Sequence, residues 1–225
     1  MKFRIRQNPA AQRAFLDRAR SYLQRPREGV HVSDLVLPKK AFCHRKYGDI
    51  GISDDEVGYF LGGRGHHDVL EFLATLPEYR EVKVELEGIR GTIDVYRDVP
   101  VEIKTTRSPE IKPPYKLAGD HPEYLRQLGY YCAMVGKPQG QLWLFYLGAK
   151  EWDEVLGRPR TVPRILIYDV EYEDLEGIRE EMIERKNLLL RALETGDPSG
   201  LPPCPSWMCR RCKYRSFCSP PLEVV

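Results

Sequence analysis

A chain of 225 residues is long enough to bury a core without disulfide support. Charged residues make up 30%, the mean hydropathy is -0.48, and no apolar run approaches the roughly 20 residues a bilayer demands, which excludes a membrane-spanning helix. Thirty-five basic residues against 33 acidic ones leave a net charge of +2, so the overall balance names no polyanionic partner.

Charge is distributed unevenly. Residues 1 to 30 hold Lys2, Arg4, Arg6, Arg13, Arg18, Arg20, Arg25 and Arg27 against Asp17 and Glu28, while 171 to 186 are dominated by acids. The stretch from Leu201 to Cys218 has Arg210, Arg211, Lys213 and Arg215 and no acid, so a fold that joins the two basic segments would build a polyanion surface. No apolar core follows the basic residues of MKFRIRQNPA, so no secretory leader is expected. A cytoplasmic setting with reduced or metal-bound cysteines is the expectation.

Pro9 opens an amphipathic helix over 10–24, with Phe15, Ala19, Tyr22 and Leu23 at helical spacing. Ser33 is expected to cap a short helix that Pro38 limits, placing Cys43 just beyond it. Val57, Phe60, Leu61, Val69, Leu70, Phe72 and Leu73 predict a helix over 55–76 that carries His66, His67 and Glu71. From Glu81 to Thr106 the apolar period becomes two, and the turn at Arg97-Asp98 joins the last two of three strands in a hairpin. A proline-containing loop from Ser108 to Pro122 leads into a helix over 123–135. Strands over 141–147 and 164–170 follow, then a long helix over 175–193 closed by Gly196 and Pro198, and a cysteine-rich tail. The expected architecture is an α/β sandwich with a mixed sheet flanked by helices.

The hairpin carries the chemistry. Gly91-Thr-Ile-Asp94 and Val101-Glu-Ile-Lys104 bring Asp94 near Glu102, and strand alternation points Glu102 and Lys104 to one face while Ile103 turns to the core. Two carboxylates and the Ile103 carbonyl form an oxygen-rich site suited to Mg2+ or Mn2+. Such an ion polarises a phosphodiester oxygen and generates hydroxide near neutral pH, with the Lys104 ammonium orienting water or stabilising charge. Phosphodiester hydrolysis is the implied reaction.

The order His, Asp, Glu-x-Lys, Gln-x-x-x-Tyr, carried by Gly63-Arg-Gly-His-His67, Asp94, Glu102-Ile-Lys104 and Gln127-Leu-Gly-Tyr-Tyr131, resembles the RecB-like branch of the PD-(D/E)xK nuclease superfamily. The resemblance implies a histidine metal ligand, His67 by its distance from Gly63 with His66 as the fallback. It also gives Gln127 and Tyr131, one helical turn apart, a place against nucleic acid or in the catalytic shell.

Cys209-x2-Cys212-x5-Cys218 is a compact trio that needs a fourth thiolate, for which Cys43 and Cys204 compete. From spacing, zinc or an iron-sulfur cluster would serve. From about residue 33 to 218 the chain resembles the CRISPR-associated RecB-like iron-sulfur exonucleases, which take one upstream cysteine and three from the tail. That resemblance implies Cys43, Cys209, Cys212 and Cys218 as ligands of a 4Fe-4S or 2Fe-2S cluster. The family's upstream motif is often Cys-Pro-Arg, where this chain has Cys43-His-Arg45. Cys132 is expected to be a buried small hydrophobe.

The resemblance further implies one RecB-like nuclease domain over 1–225, with 51–195 as its core and 1–50 plus 196–225 forming the iron-sulfur subdomain. It implies a metal-dependent exonuclease on single-stranded DNA, 5′-to-3′, that processes prespacer ends for the CRISPR integrase complex. Phe42, Tyr47, Tyr115, Tyr124 and Tyr130 are candidate base-stacking residues. The alternative is a non-catalytic DNA-binding or recruitment subunit with a structural four-cysteine metal site.

Overall fold

The computed structural model of the protein describes residues 6–23, 28–48, 51–210 and 212–218. Lys2, Arg4, Gln24, Arg25, Arg27 and Arg211 lie outside them. Helix α1 (Pro9–Leu23) leads to strand β1 (Val30–His31), short helices α2 (Val32–Val36) and α3 (Pro38–Lys46), and the long helix α4 (Asp54–Ala74). A 3-10 turn precedes β2 (Arg80–Leu86), β3 (Ile89–Tyr96) and β4 (Pro100–Thr106). Helices α5 (Pro114–Asp120) and α6 (Pro122–Val135) carry the chain to β5 (Gln139–Tyr146). Then come β6 (Lys150–Asp153), β7 (Arg158–Thr161), β8 (Arg164–Glu171), α7 (Leu175–Thr195), α8 (Ser206–Cys209) and α9 (Arg215–Cys218).

Local chemistry sets the boundaries. Ser53 caps α4 reciprocally: its Oγ accepts from Glu56 N–H at 3.2 Å while the Glu56 carboxylate accepts from Ser53 N–H at 2.9 Å. α6 starts with Pro122 in its first turn and ends at left-handed Gly136 (φ 68), and α7 runs from an Asp174 cap to left-handed Gly196 (φ 76).

Several boundaries differ from expectation. α2 begins at Val32, so Ser33 lies inside its first turn, and Asp34 Oδ2 accepts from the N–H of His31 at 3.0 Å. Pro38 opens α3 instead of merely ending α2, and Cys43 therefore lies within a helix. Pro114 likewise starts α5 within the segment expected to be a loop. The β6–β7 hairpin, largely solvent-exposed, lacks the alternating apolar pattern that would announce it.

The main sheet runs β2-β3-β4-β5-β8. Its β4–β5 pair is parallel and its other neighbouring pairs antiparallel, and β1 adds two parallel rungs at Ile89 and Arg90. The sheet is mixed, as expected. In the β4–β5 register Glu102 pairs with Leu142 and Lys104 with Leu144, while Ile103 pairs with Trp143. Leu142 and Leu144 pack with Leu128 and Cys132 of α6; Ile103, Val95 and Val101 pack with Leu70 of α4. The sheet is thus covered by α6 on one face and α4 on the other, and adjacent residues of β4 address different helices.

The largest buried cluster joins Val32, Leu35, Phe42 and Cys43 to Ile89, Ile93, Tyr130 and Tyr131, and to Met182, Leu189, Leu201 and Tyr214. The early helices, the sheet, α7 and the tail thus share one apolar interior. Among the described residues no helix is long and apolar enough to cross a membrane.

Candidate active site and cysteine cluster

Pairing between β3 and β4 extends over Val95–Val101 and Tyr96–Pro100. Continued by one step, that register would set Asp94 opposite Glu102. There the side chain replaces the ladder: Asp94 Oδ2 accepts from the backbone N–H of Ile103 at 2.7 Å. The strands part at this point, with α4 on one side of the opening and α6 on the other.

From α4, His67 Nε2 lies 3.1 Å from Asp94 Oδ2, while its Nδ1 lies 2.7 Å from Glu71 Oε1. Gly63 sits one turn earlier, where a Cβ would meet Thr105 Oγ1 of β4 at 3.8 Å, so the helix lies close to the strand. His66 points elsewhere: its Nδ1 bonds the Gly62 carbonyl and its ring lies against Phe145. His67 is therefore the histidine that joins the carboxylates.

On β4, Glu102 is 1% exposed. One of its oxygens accepts from Lys104 Nζ, and the other, Oε2, is buried without a hydrogen-bond partner. Lys104 Nζ also donates to Gln127 Oε1 at 3.1 Å, and Gln127 Nε2 donates to Tyr131 Oη at 3.3 Å. Tyr131 is buried while Gln127 lines the cleft, so the pair links Lys104 to the core.

The electrostatics follow from this crowding. Burial, and then the Asp94 charge, push the Glu102 carboxyl up to about 7, while Lys104 and His67 pull it the other way. Burial disfavours charge on His67, yet the Asp94 and Glu71 carboxylates on its two nitrogens prevail and raise it to about 10. Lys104 is partly buried, which disfavours its charge, but Glu102 first and Asp94 second hold it charged. Three acids, Glu71, Asp94 and Glu102, and two basic groups, His67 and Lys104, form a compact alternating cluster.

A divalent cation fits this donor set. The free Oε2 of Glu102 is a buried acceptor lacking a donor, a costly arrangement unless a cation meets it. Asp94, Glu102 and His67 would hold the ion, with the Ile103 backbone adjoining them.

A cleft of about 790 Å³ opens beside Lys104, Gln127, Glu123 and Tyr124 and continues between Lys40, Arg45 and Lys213. Basic residues from the early helices and from the tail thus meet in one groove. Tyr124 lies under Lys104 Nζ, 5.8 Å from ring centroid to nitrogen, and stacks on His121 at 4.8 Å. Tyr115 is largely exposed, and Tyr47 stacks on Phe217. Phe42 and Tyr130 are fully buried core residues, which removes them from the set of base-stacking candidates.

A scan against models of protein families and a search of characterised proteins gave no match. Among solved structures, SSO0001 is similar in fold: the TM-score is 0.60 at 20% identity, over 95% of this chain and 97% of the other. A phage related exonuclease from Haemophilus somnus 129PT aligns at TM-score 0.49 and 13% identity, over 74% of this chain and 94% of its own. An alkaline exonuclease from Laribacter hongkongensis aligns at 0.44 and 15%, over 80% and 93%.

The cysteines gather between α3 and the tail. Cys43 is fully buried in α3; burial, then the neighbouring thiols of Cys218, Cys212 and Cys204, push it up to about 12. Cys204 is pushed up to about 11 by burial first and then by the thiols of Cys209, Cys218 and Cys212. Cys204 therefore joins the other four, and five thiols surround the point where the tail meets α3. Thiolates in this number fit an iron-sulfur cluster or a zinc ion. Cys132 is apart, a small hydrophobe on the buried face of α6. Sequence reasoning gave no role to Glu71 or Glu123, which are buried one helical turn from His67 and Gln127; that spacing was the signal that could have found them.

Proposed function

We propose that this protein is a divalent-metal-dependent deoxyribonuclease that hydrolyses phosphodiester bonds at the ends of single-stranded DNA. The observation that carries the proposal is the unpartnered, buried Oε2 of Glu102 set among Asp94, His67 and Lys104. A purely structural ion-pair cluster would satisfy that oxygen; a site built to receive a cation leaves it open.

When bound, Mg2+ or Mn2+ supplies Lewis-acid polarisation of the scissile phosphate. Asp94, Glu102 and His67 would hold the ion, and the Ile103 N–H fixes the Asp94 carboxylate so that one oxygen keeps a constant orientation. Lys104, held cationic inside the site, faces charge that develops on the phosphate. Gln127 restrains the ammonium, and Tyr131 in turn restrains Gln127. The basic walls of the cleft, Lys40, Arg45 and Lys213, receive the strand's phosphates.

The further reading, an iron-sulfur protein that trims prespacer ends for a CRISPR integrase complex in the cytoplasm, rests on the sequence resemblance described above.

The test is anaerobically purified protein incubated with end-labelled single-stranded DNA in Mn2+, Mg2+ or EDTA, with Glu102→Ala in parallel. Metal-dependent shortening from an end, lost in the variant, is the expected result. DNA binding without cleavage would instead identify a binding subunit.

A further inference from the structure

We propose that Glu71 is a positioning residue of the metal site, holding the His67 ring so that Nε2 faces Asp94 and Glu102. The inference rests on the metal-dependent reading above and extends it to a residue that reading does not use.

Glu71 follows His67 by one turn of α4, and its Oε1 lies 2.7 Å from Nδ1. Neither atom has a hydrogen-bond partner elsewhere. The other ring nitrogen, Nε2, lies 3.1 Å from Asp94 Oδ2. The imidazole is thus clamped between two carboxylates, one on the open side of the sheet and one behind it. With a cation in place of the Nε2 proton, the ring would keep its proton on Nδ1, facing Glu71, and direct the Nε2 lone pair at the ion, as a ligating histidine requires.

Burial argues that the arrangement is built. Glu71 is 5% exposed, one of three buried acidic side chains among the described residues, on a helix whose neighbouring Val69, Phe72 and Leu73 are largely exposed. Moving a carboxylate out of water is costly, and α4 offers exposed positions nearby, so placement against His67 needs a compensating partner. The adjacent Asp68 serves differently: it is half-exposed and pairs with Arg64 Nε at 2.6 Å.

Metal-free protein is titrated with Mn2+ while free Mn2+ is read by its paramagnetic resonance signal, without DNA. Glu71→Gln and Glu71→Met both remove the charge and keep the length, but only the amide retains an oxygen that can accept from Nδ1–H. Glu71→Met should weaken Mn2+ binding about 10- to 100-fold, Glu71→Gln should recover most of that loss, and Asp68→Ala should bind as the unaltered protein does. Equal, large losses in both Glu71 variants, or a large loss in Asp68→Ala, would make that carboxylate a ligand and overturn the positioning role. Unchanged binding in Glu71→Met would also overturn it. Unaltered protein that binds no Mn2+, or binds it equally with Asp94→Ala, would defeat the metal-dependent reading itself, an outcome distinct from failure of the Glu71 role.

Discussion

Asp94 and Ile103 exchange a side-chain-to-backbone hydrogen bond of 2.7 Å at the point where β3 and β4 separate. A ladder bond there would have closed the strands, so the carboxylate holds the opening that it also furnishes with charge. Asp94→Asn keeps an acceptor for the Ile103 N–H but loses the charge. It should preserve the melting temperature within a few degrees while lowering metal-dependent cleavage about 100-fold or more. Asp94→Ala should lose both, which calorimetry and a cleavage assay read separately.

Glu102 gives a pH signature in metal-free protein. Its folded pKa, about 7, stands above the ordinary 4.5, so the folded state holds the proton more tightly than the unfolded chain. The stability this contributes is complete below about 4.5 and is lost as pH rises towards about 7. Glu102→Gln mimics the protonated form at every pH. Its stability advantage over the unaltered protein should widen across that interval in urea melts with EDTA present, while its cleavage activity is absent.

Gln127 and Tyr131 act on Lys104 in series. Gln127→Ala frees the ammonium from one of its two partners and should lower kcat about tenfold with little change in KM. Tyr131→Phe removes only the Oη that steadies Gln127, and a smaller drop is expected. Steady-state kinetics on one oligonucleotide ranks the two, and a larger effect from Tyr131→Phe would reverse the assigned order.

Gly91 ties the fold to the site. A Cβ there would stand 2.8 Å from Tyr131 Cε1, 3.1 Å from Val84 Cγ2 and 3.2 Å from Val32 Cγ2. Gly91→Ala should cost about 1–3 kcal/mol in urea unfolding. Because the tyrosine ring must yield, activity should fall further than the stability loss explains.

Cys43→Ser should remove bound metal and visible absorption and lower the melting temperature, since it places a hydroxyl at a fully buried position that the tail covers. Cys132→Ser should leave metal content unchanged. Metal analysis of both proteins, purified without oxygen, is the check.

Most of this site could be read from residue order because strand alternation is rigid. Once Arg97-Asp98 is recognised as the hairpin turn, counting back and forward places Asp94 beside Glu102 and sets Lys104 on the same side as Glu102. What alternation could not show was the third dimension. Glu71 acquires meaning only when α4 is laid against β3, and Phe42 and Tyr130 look like stacking residues until the core closes over them. The prolines misled in a consistent way. Pro38 and Pro114 each read as an interruption, whereas a proline in the first turn sacrifices no helical hydrogen bond and starts a helix as readily as it ends one. The β6–β7 hairpin was illegible because its strands bury almost nothing.

The two walls of the cleft are made at different times. Lys40 and Arg45 leave the ribosome early, whereas Met208 and Lys213 follow more than 160 residues later, together with the thiols that approach Cys43. Tyr47 must wait for Phe217 and Lys46 for the Gly196 carbonyl before α3 is covered. A nascent chain therefore carries its hairpin carboxylates long before the cleft beside them exists, and the second wall is added only as the tail docks.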